Sequence, residues 1–266
     1  LQASEAIGMD IHFSCVGCGK CCTNLKVPLT AAEAIDWLGR GDPVQLICDA
    51  DWQRGVAADG SRAAHRQQRS FAAVSGSMPT RVRVLLAADI VGACPNLSPD
   101  LRCRIYERRP LVCRVYPAEI NPFIRFEPRG KGCPPEAWAP QHPLLERDGL
   151  IVDDSVRRSI ELARATDARE TAVRRRLCAA LEVMDTALAD EGFVVHSPAI
   201  AVLLPALTAA MSSEDNAPAP PPWRFVSNHA ATLAGLQASG AVAIHAHAAA
   251  PGAQYLGFKS EPPGAS

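Results

Sequence analysis

The chain changes rhythm along its length. Thr30 with Glu33 three residues later forms a capping box, and the apolar-periodic run 31–38 behind it predicts a short helix ending at Gly39 or Gly41. After Asp42-Pro43, the apolar residues Val44, Leu46 and Ile47 surround Cys48, which reads as a small core residue. Residues 51–77 carry few large apolar side chains and many Ala, Gly, Gln and Arg. They predict a surface loop or loosely held helix with His65 solvated. The order RVRVLL at 81–86 alternates before turning apolar, which predicts a half-buried strand leading to Cys94. Residues 105–109 can make one helical turn before Pro110 interrupts it, and Tyr116-Pro117 closes the segment.

Beyond Pro140 a helical rhythm takes over. Val173, Leu177, Leu181, Met184 and Leu188 predict a packing helix, with Arg174 to Arg176 on the opposite face and Cys178 beside the apolar stripe. Ser197-Pro198 starts a further helix over 199–211, with a kink at Pro205. The run SSEDNAPAPPP at 212–222 reads as a Pro-rich linker. Asn228 caps a short helix through Leu236 that Gly240 ends, and 255–258 gives a final edge segment. His245 and His247 alternate as on one face of a strand and read as a solvated pair. The expected fold class is therefore α+β and helix-rich: a metal-organised cysteine-cluster domain with few short strands, followed by a helical region. The boundaries place that domain at 1–140, the helical region at 141–211, the linker at 212–222 and a C-terminal tail segment at 223–266.

Composition sharpens this picture. With 266 residues, 48% of them hydrophobic, the chain can bury a sizeable core without disulfide staples. A formal net charge of -1 gives neither the basic surface that nucleic acid needs nor the acidic excess of a disordered chain. The longest apolar stretch, 200–211, is too short to span a bilayer and contains Pro205, so no membrane partner is expected. No secretory pattern opens the sequence, Met9 stands directly before the cysteine run as a candidate start, and the expected compartment is the reducing cytoplasm.

The chemistry lies in sulfur. Of ten cysteines, four fall within FSCVGCGKCC at Cys15, Cys18, Cys21 and Cys22, a C-x2-C-x2-C-C run in which Gly17 and Gly19 let the backbone turn sharply. Cys94, Cys103, Cys113 and Cys133 follow, while Cys48 and Cys178 stand apart. In a reducing compartment such clustering points to metal ligation rather than disulfides. In extended backbone Cys21 and Cys22 would point to opposite sides and serve one ion only with difficulty. An all-thiolate set without paired histidines selects zinc or an iron-sulfur cluster. Zinc ribbons show two C-x2-4-C knuckles, whereas one compact run completed by remote cysteines favours [4Fe-4S], with zinc as the alternative. Two four-thiolate sites, or one with redox-active thiols nearby, both satisfy the count. Arg102, Arg104, Arg108, Arg109 and Arg114 crowd the same region. Arg109 and Arg114 are candidate donors to sulfur or to a bound anionic substrate, with Tyr106 and Tyr116 as shields. The competing reading is an exposed face paired with Glu107 and Glu119.

The order FSCVGCGKCC, CPNL, CRIYERRPLVCRVYP and GCP, over about residues 11–138, resembles the YkgJ-like cysteine-cluster family, described as a zinc- or iron-chelating domain with a CxxCxxCC signature. The resemblance implies a metal-binding protein with an unidentified protein partner or substrate. A related arrangement with a Cys-Arg-x-Tyr-Pro ending is similar to flagellin lysine-N-methylases, which would imply a cluster-dependent enzyme using S-adenosylmethionine. This chain shows no Gly-rich nucleotide loop to match. A zinc-organised interaction module is the third reading, and no catalytic residue stands out from the sequence.

Overall fold

The computed structural model describes residues 10–52, 55, 57–213 and 222–258. The suggested start at Met9 and residues 214–221 of the Pro-rich run lie outside them. In chain order the elements are β1 (Ile11–His12), β2 (Thr23–Leu29), α1 (Ala31–Gly39), β3 (Val44–Trp52), α2 (Arg62–Gln67), β4 (Phe71–Ser75), β5 (Met78–Ala93), α3 (Leu111–Val115), β6 (Leu144–Arg147), β7 (Leu150–Ile151), α4 (Asp154–Arg169), α5 (Thr171–Ala180), β8 (Asp185–Leu188), β9 (Gly192–His196), α6 (Ile200–Ser212), β10 (Arg224–Ser227), α7 (Ala230–Ala238), β11 (Ala243–His245) and β12 (Ala253–Gly257). They fall into two compact units, each assembled from separated stretches: 1–27 with 89–166, and 28–88 with 167–266. The chain passes from one unit to the other within β2, β5 and α4.

The helix-rich fold class is overturned. The protein is 35% helical and 29% strand, so it is a mixed fold built on a large sheet rather than a helical one with a few strands. One nine-stranded sheet runs in the order β11-β10-β8-β3-β5-β2, with β9 on β3 and β12 and with β4 on β5. The parallel pairs β3–β8, β8–β10 and β10–β11 continue into the antiparallel pairing of β3 with β5, and β4 forms a hairpin with β5.

The second unit is where this sheet has its core. β5 is the half-buried strand that the RVRVLL alternation predicts, but it is longer: Met78, Thr80, Val82, Val84 and Leu86 are buried, while Arg81 and Arg83 are partly exposed. β3 buries Val44, Leu46, Cys48 and Ala50 opposite it. The capping box forms as expected, with Glu33 N–H donating to Thr30 Oγ1 at 3.2 Å and Thr30 N–H donating to Glu33 Oε2 at 2.9 Å. Within 51–77 the described residues include the end of β3, α2 and β4, and His65 is half-buried rather than solvated.

The expected long helix through Leu188 stops at Ala180 for a local reason. Glu182 takes φ 53°, Val183 N–H donates to Cys178 O at 2.9 Å, and Glu182 N–H reaches Ala179 O at 3.4 Å. This is the paired 6→1 and 5→2 bonding of a Schellman end, formed here without glycine. Leu188 then lies in the short strand β8 instead. The expected C-terminal tail segment begins in the interior of the sheet instead. Trp223 and Phe225, leading into and within β10, have no exposed area, and β10 is an interior strand paired with β8 and β11.

The first unit is sparser. Its regular structure is the three-stranded sheet β1-β6-β7 with α3 and most of α4, and Val115, Ala118 and Ile160 form its apolar cluster with Ile120, Ile151 and Val156 against it. Phe13, Trp138 and Phe126 stack in a row, with ring centroids 5.0 and 6.1 Å apart. Most of the rest is turns, and every cysteine except Cys48 and Cys178 lies here.

Candidate metal centre

The cysteine run is shaped by its glycines. Gly17 and Gly19 take φ 67° and 70°, left-handed values that a side chain disfavours, and a Cβ on Gly19 would meet the Leu101 side chain at 3.2 Å. These two turns lead into a 3-10 turn, Lys20–Cys22, so the segment is not extended. The expectation that Cys21 and Cys22 point apart therefore fails: their sulfurs are 3.9 Å apart.

Further along, the remaining thiols are delivered one at a time. Cys94 directly follows β5, and its N–H donates to Cys22 O at 2.7 Å. Leu97 and Cys103 form an isolated antiparallel bridge, and Leu97 N–H returns to Cys94 O at 2.9 Å, so this loop folds back on itself. Cys113 rides on α3, which Pro110 opens after the turn Tyr106–Arg108. Cys133 follows the Gly130 to Gly132 turn; its sulfur lies 3.6 Å from the Tyr116 hydroxyl, and its carbonyl accepts the Trp138 indole N–H at 3.5 Å.

The thiols sense one another. Burial, then the charges of Cys21, Cys94 and Cys103, push the Cys113 thiol up to about 12. The Cys21 thiol is pushed far up by its hydrogen bond to Cys22 and by burial, while the same bond draws Cys22 down. Burial raises Cys133, which also lies within the fields of Cys21, Cys18 and Cys15. Burial and the Cys133 bond together raise the Tyr116 phenol. All ten cysteines are free thiols. Among the described residues no group of three or more His, Cys, Asp or Glu side chains converges on a common ion position. The sulfurs thus share a neighbourhood without forming a closed cage. Even so, the Cys21–Cys22 separation is close to the edge of a tetrahedron drawn with zinc–sulfur bonds, about 3.8 Å. The donor set is purely soft sulfur, which fits a thiophilic metal or cluster.

The arginines divide their attention. The Arg109 guanidinium lies 3.7 Å over the Tyr106 ring, and its Nε donates to Tyr106 O at 2.8 Å; its charge opposes the rise of both Cys21 and Cys113. Arg114 Nε donates to Arg109 O at 2.6 Å, holding that segment rather than reaching a sulfur itself. Arg102 is exposed and pairs with Asp100, and Glu119 pairs with Lys131. Lys131 stands 5.7 Å from the Tyr116 ring, a contact the sequence did not signal. Asn96, whose amide nitrogen is 4.0 Å from Cys94 Sγ, and Trp138 were also missed, because neither stands in a recognisable spacing.

Cys48 and Cys178 belong elsewhere. Both are fully buried in the second unit, where burial and a hydrogen bond to Cys178 push the Cys48 thiol well up. His245 and His247 do approach each other, with Nδ1 atoms 2.7 Å apart, but only His245 lies in a strand.

Residues 14–134 match the family model CxxCxxCC, described as a "Putative zinc- or iron-chelating domain". The match agrees with the resemblance drawn from the motifs and spans the whole cysteine region. No curated protein and no solved structure matches the chain. Among the described residues, no helix is long and apolar enough to cross a membrane.

Proposed function

We propose that this chain, with a zinc- or iron-chelating domain over residues 14–134, is a metal-binding protein that holds an iron-sulfur centre through Cys15, Cys18, Cys21, Cys22, Cys94, Cys103, Cys113 and Cys133. The observation that carries the reading is the gathering of these eight thiols in one compact unit, with the Cys21 and Cys22 sulfurs 3.9 Å apart, Cys94 N–H bonded to Cys22 O at 2.7 Å and Cys103 bridged to Leu97. A cluster of opposed negative groups is costly unless a cation binds among them, which is what soft thiolates do with iron or zinc. Iron-sulfur is favoured over zinc because one tight run with remote single cysteines supplies ligands as cubane sites do. When bound, such a centre would supply electron transfer or a Lewis-acidic iron.

This chain's own residues have separate roles in the proposal. Arg109 offsets the thiolate charge nearest Cys21 and Cys113, Arg114 holds Arg109 in place through its carbonyl, and Tyr116 screens Cys133 from water. Tyr106 fixes the Arg109 guanidinium by stacking.

The test is to purify the full chain without oxygen, count iron, zinc and sulfide, and record its visible spectrum. Iron with sulfide and broad absorption near ~400 nm supports the reading. Colourless protein with zinc alone replaces iron-sulfur with a zinc-organised module. A spectrum that changes on adding S-adenosylmethionine moves the assignment to a methylase-like enzyme.

A further inference from the structure

We propose that the sheet-bearing unit carries a ligand site of its own, independent of the thiols, that takes a small protonated amine with an apolar body. The site is a cavity of about 350 Å³ walled by three turns, 180–184 between α5 and β8, 196–198 between β9 and α6, and 250–252 before β12, with Val202 from the first turn of α6. That volume lies at the small end of ligand pockets, so the occupant is of modest size.

His196 is the residue that calls for a ligand. Its side chain is 7% exposed and lines the cavity, and its Nε2–H donates to Asp185 O at 2.9 Å. A carbonyl can only accept, so the hydrogen on Nε2 is fixed, and in the neutral ring Nδ1 carries a lone pair. Burial keeps the ring neutral. Among the described residues nothing donates to Nδ1, yet the atom is not sealed within the protein, so its partner must come from the cavity that the ring lines. Such an acceptor is costly to leave unpaired and is matched by an N–H or O–H from outside.

The rest of the wall selects a cation. α5 ends here, so the negative end of its dipole borders the cavity at Ala180 and Leu181. Glu182 follows, exposed and with no ion partner among the described residues; its φ of 53°, a value at which glycine is favoured, sets a carboxylate on the rim. Leu181, Val183, Met184, Pro198 and Val202 offer apolar surface to the body of the ligand.

Asp185 holds these walls together. Its side chain has no exposed surface: Oδ2 accepts Ala250 N–H at 2.7 Å, Oδ1 accepts Arg224 Nε–H at 2.7 Å, and the Asp185 carbonyl fixes His196. Ser197 N–H reaches Gly252 O at 3.4 Å and joins the other two turns. The cavity is therefore pre-formed, and a ligand need not order it. The start of α6 opposes a cation, since the first N–H groups of a helix favour an anion and Ala199 gives no side-chain cap. A lone pair and a free carboxylate on the same cavity outweigh it.

The experiment is a titration of the full chain, isotope-labelled at its methionine methyl groups, with isoamylamine, followed by NMR. Met184 lines the cavity, whereas Met78 is buried in β5 and serves as the control. The amine should move the Met184 signal saturably and leave Met78 in place. Isoamyl alcohol keeps a donor without the charge, and the N-trimethylated amine keeps the charge without a donor; each should bind several-fold more weakly. Glu182→Gly removes the carboxylate while relieving the left-handed turn, so resistance to urea should hold or rise while the amine binds several-fold more weakly. A purely structural Glu182 would change the first readout and not the second. Val202→Trp, at an exposed position on the rim, should block the amine without unfolding the chain. A Met184 signal that does not move, equal affinity for amine and alcohol, or unchanged amine binding in Glu182→Gly would each overturn the proposal. Isovalerate binding more tightly than isoamylamine would overturn it as well, in favour of an anion site at the start of α6.

Discussion

Cysteines in the two compact units live in opposite surroundings. Cys48 and Cys178 are sealed among apolar side chains, with no exposed surface, and face each other. In the other unit Cys15 and Cys21 are exposed and the remaining thiols half-buried, and they lie within one another's fields and near Arg109. The same side chain is therefore a small hydrophobe in one place and an incipient ligand in the other. Burial raises the Cys48 thiol in one unit and the Cys113 and Cys133 thiols in the other, but only the second group is surrounded by enough sulfur to make a bound cation favourable. Cysteine count alone cannot separate them; neighbours can.

The largest test of that contrast is metal removal. If the first unit is organised by its ligands, chelation should leave residues 10–27 and 89–166 open to proteolysis while the sheet-bearing unit stays resistant, because structural metal sites contribute about 10–16 kcal/mol of apparent folding energy. The small apolar cluster of Val115, Ala118 and Ile160 is a slender core on which to persist without metal. Limited trypsin digestion with mass mapping reads this directly. A first unit that resists trypsin equally with and without chelator would break the comparison.

Next in size is the sealed pair. Cys48→Ser places a hydroxyl at a fully buried position of β3 and should destabilise the sheet unit by about 1–3 kcal/mol while leaving metal content unchanged. The same change at Cys103 should do the reverse, lowering metal content. Urea unfolding beside metal analysis separates them, and a fall in bound metal for Cys48→Ser would make Cys48 a ligand after all.

Much of this was readable in advance, but unevenly. The capping box at Thr30 and the alternation feeding Cys94 are local signals, and they came out as α1 and β5. The sheet was not legible because the parallel strands β8, β10 and β11 are short, and β8 and β10 are buried along most of their length. Asp185–Leu188, Arg224–Ser227 and Ala243–His245 carry no alternation, and only their partners make them strands. Leu181, Met184 and Leu188 kept a helical period past the point where Glu182 ends the helix, since a left-handed stop formed by glutamate has no sequence signature. At the site, the cysteines were plain from spacing, while the 3-10 turn that turns Cys21 and Cys22 together, and the Trp138 prop behind Cys133, depend on tertiary contacts.

Smaller again is the effect of the guanidinium. Arg109→Ala removes a cation whose charge bears on both Cys21 and Cys113, and groups next to metal ligands are worth about tenfold or more in affinity. Metal occupancy should fall at limiting metal and the cluster absorbance should shift, with Arg109→Lys recovering part of both. Arg114→Ala, acting through the Arg109 carbonyl, should give the same change more weakly. Unchanged occupancy and spectrum in both would return these arginines to a solvated face.

The smallest effect separates the units by how each answers acid. His196 is buried at the end of β9, and its Nε2–H donates to Asp185 O at 2.9 Å; burial holds its pKa below the ordinary value. The folded form therefore keeps this ring neutral after the unfolded chain has taken up a proton. Its contribution to stability is complete above about pH 6.5 and is lost as pH falls through the lowered folded value, at no more than about 1.4 kcal/mol per pH unit. His196→Gln keeps a donor for the Asp185 carbonyl and removes the titration, so its unfolding midpoint in urea should vary less between pH 7 and 5 than that of the native protein. Acid acts on the thiol-bearing unit by another route: protons compete with metal for sulfur, so metal is released as pH falls whether or not residue 196 can titrate. A metal-release curve that moved with His196→Gln would mean that the two groups of ligand-type side chains share one equilibrium, and the contrast between sealed and gathered cysteines would no longer describe independent parts of the protein.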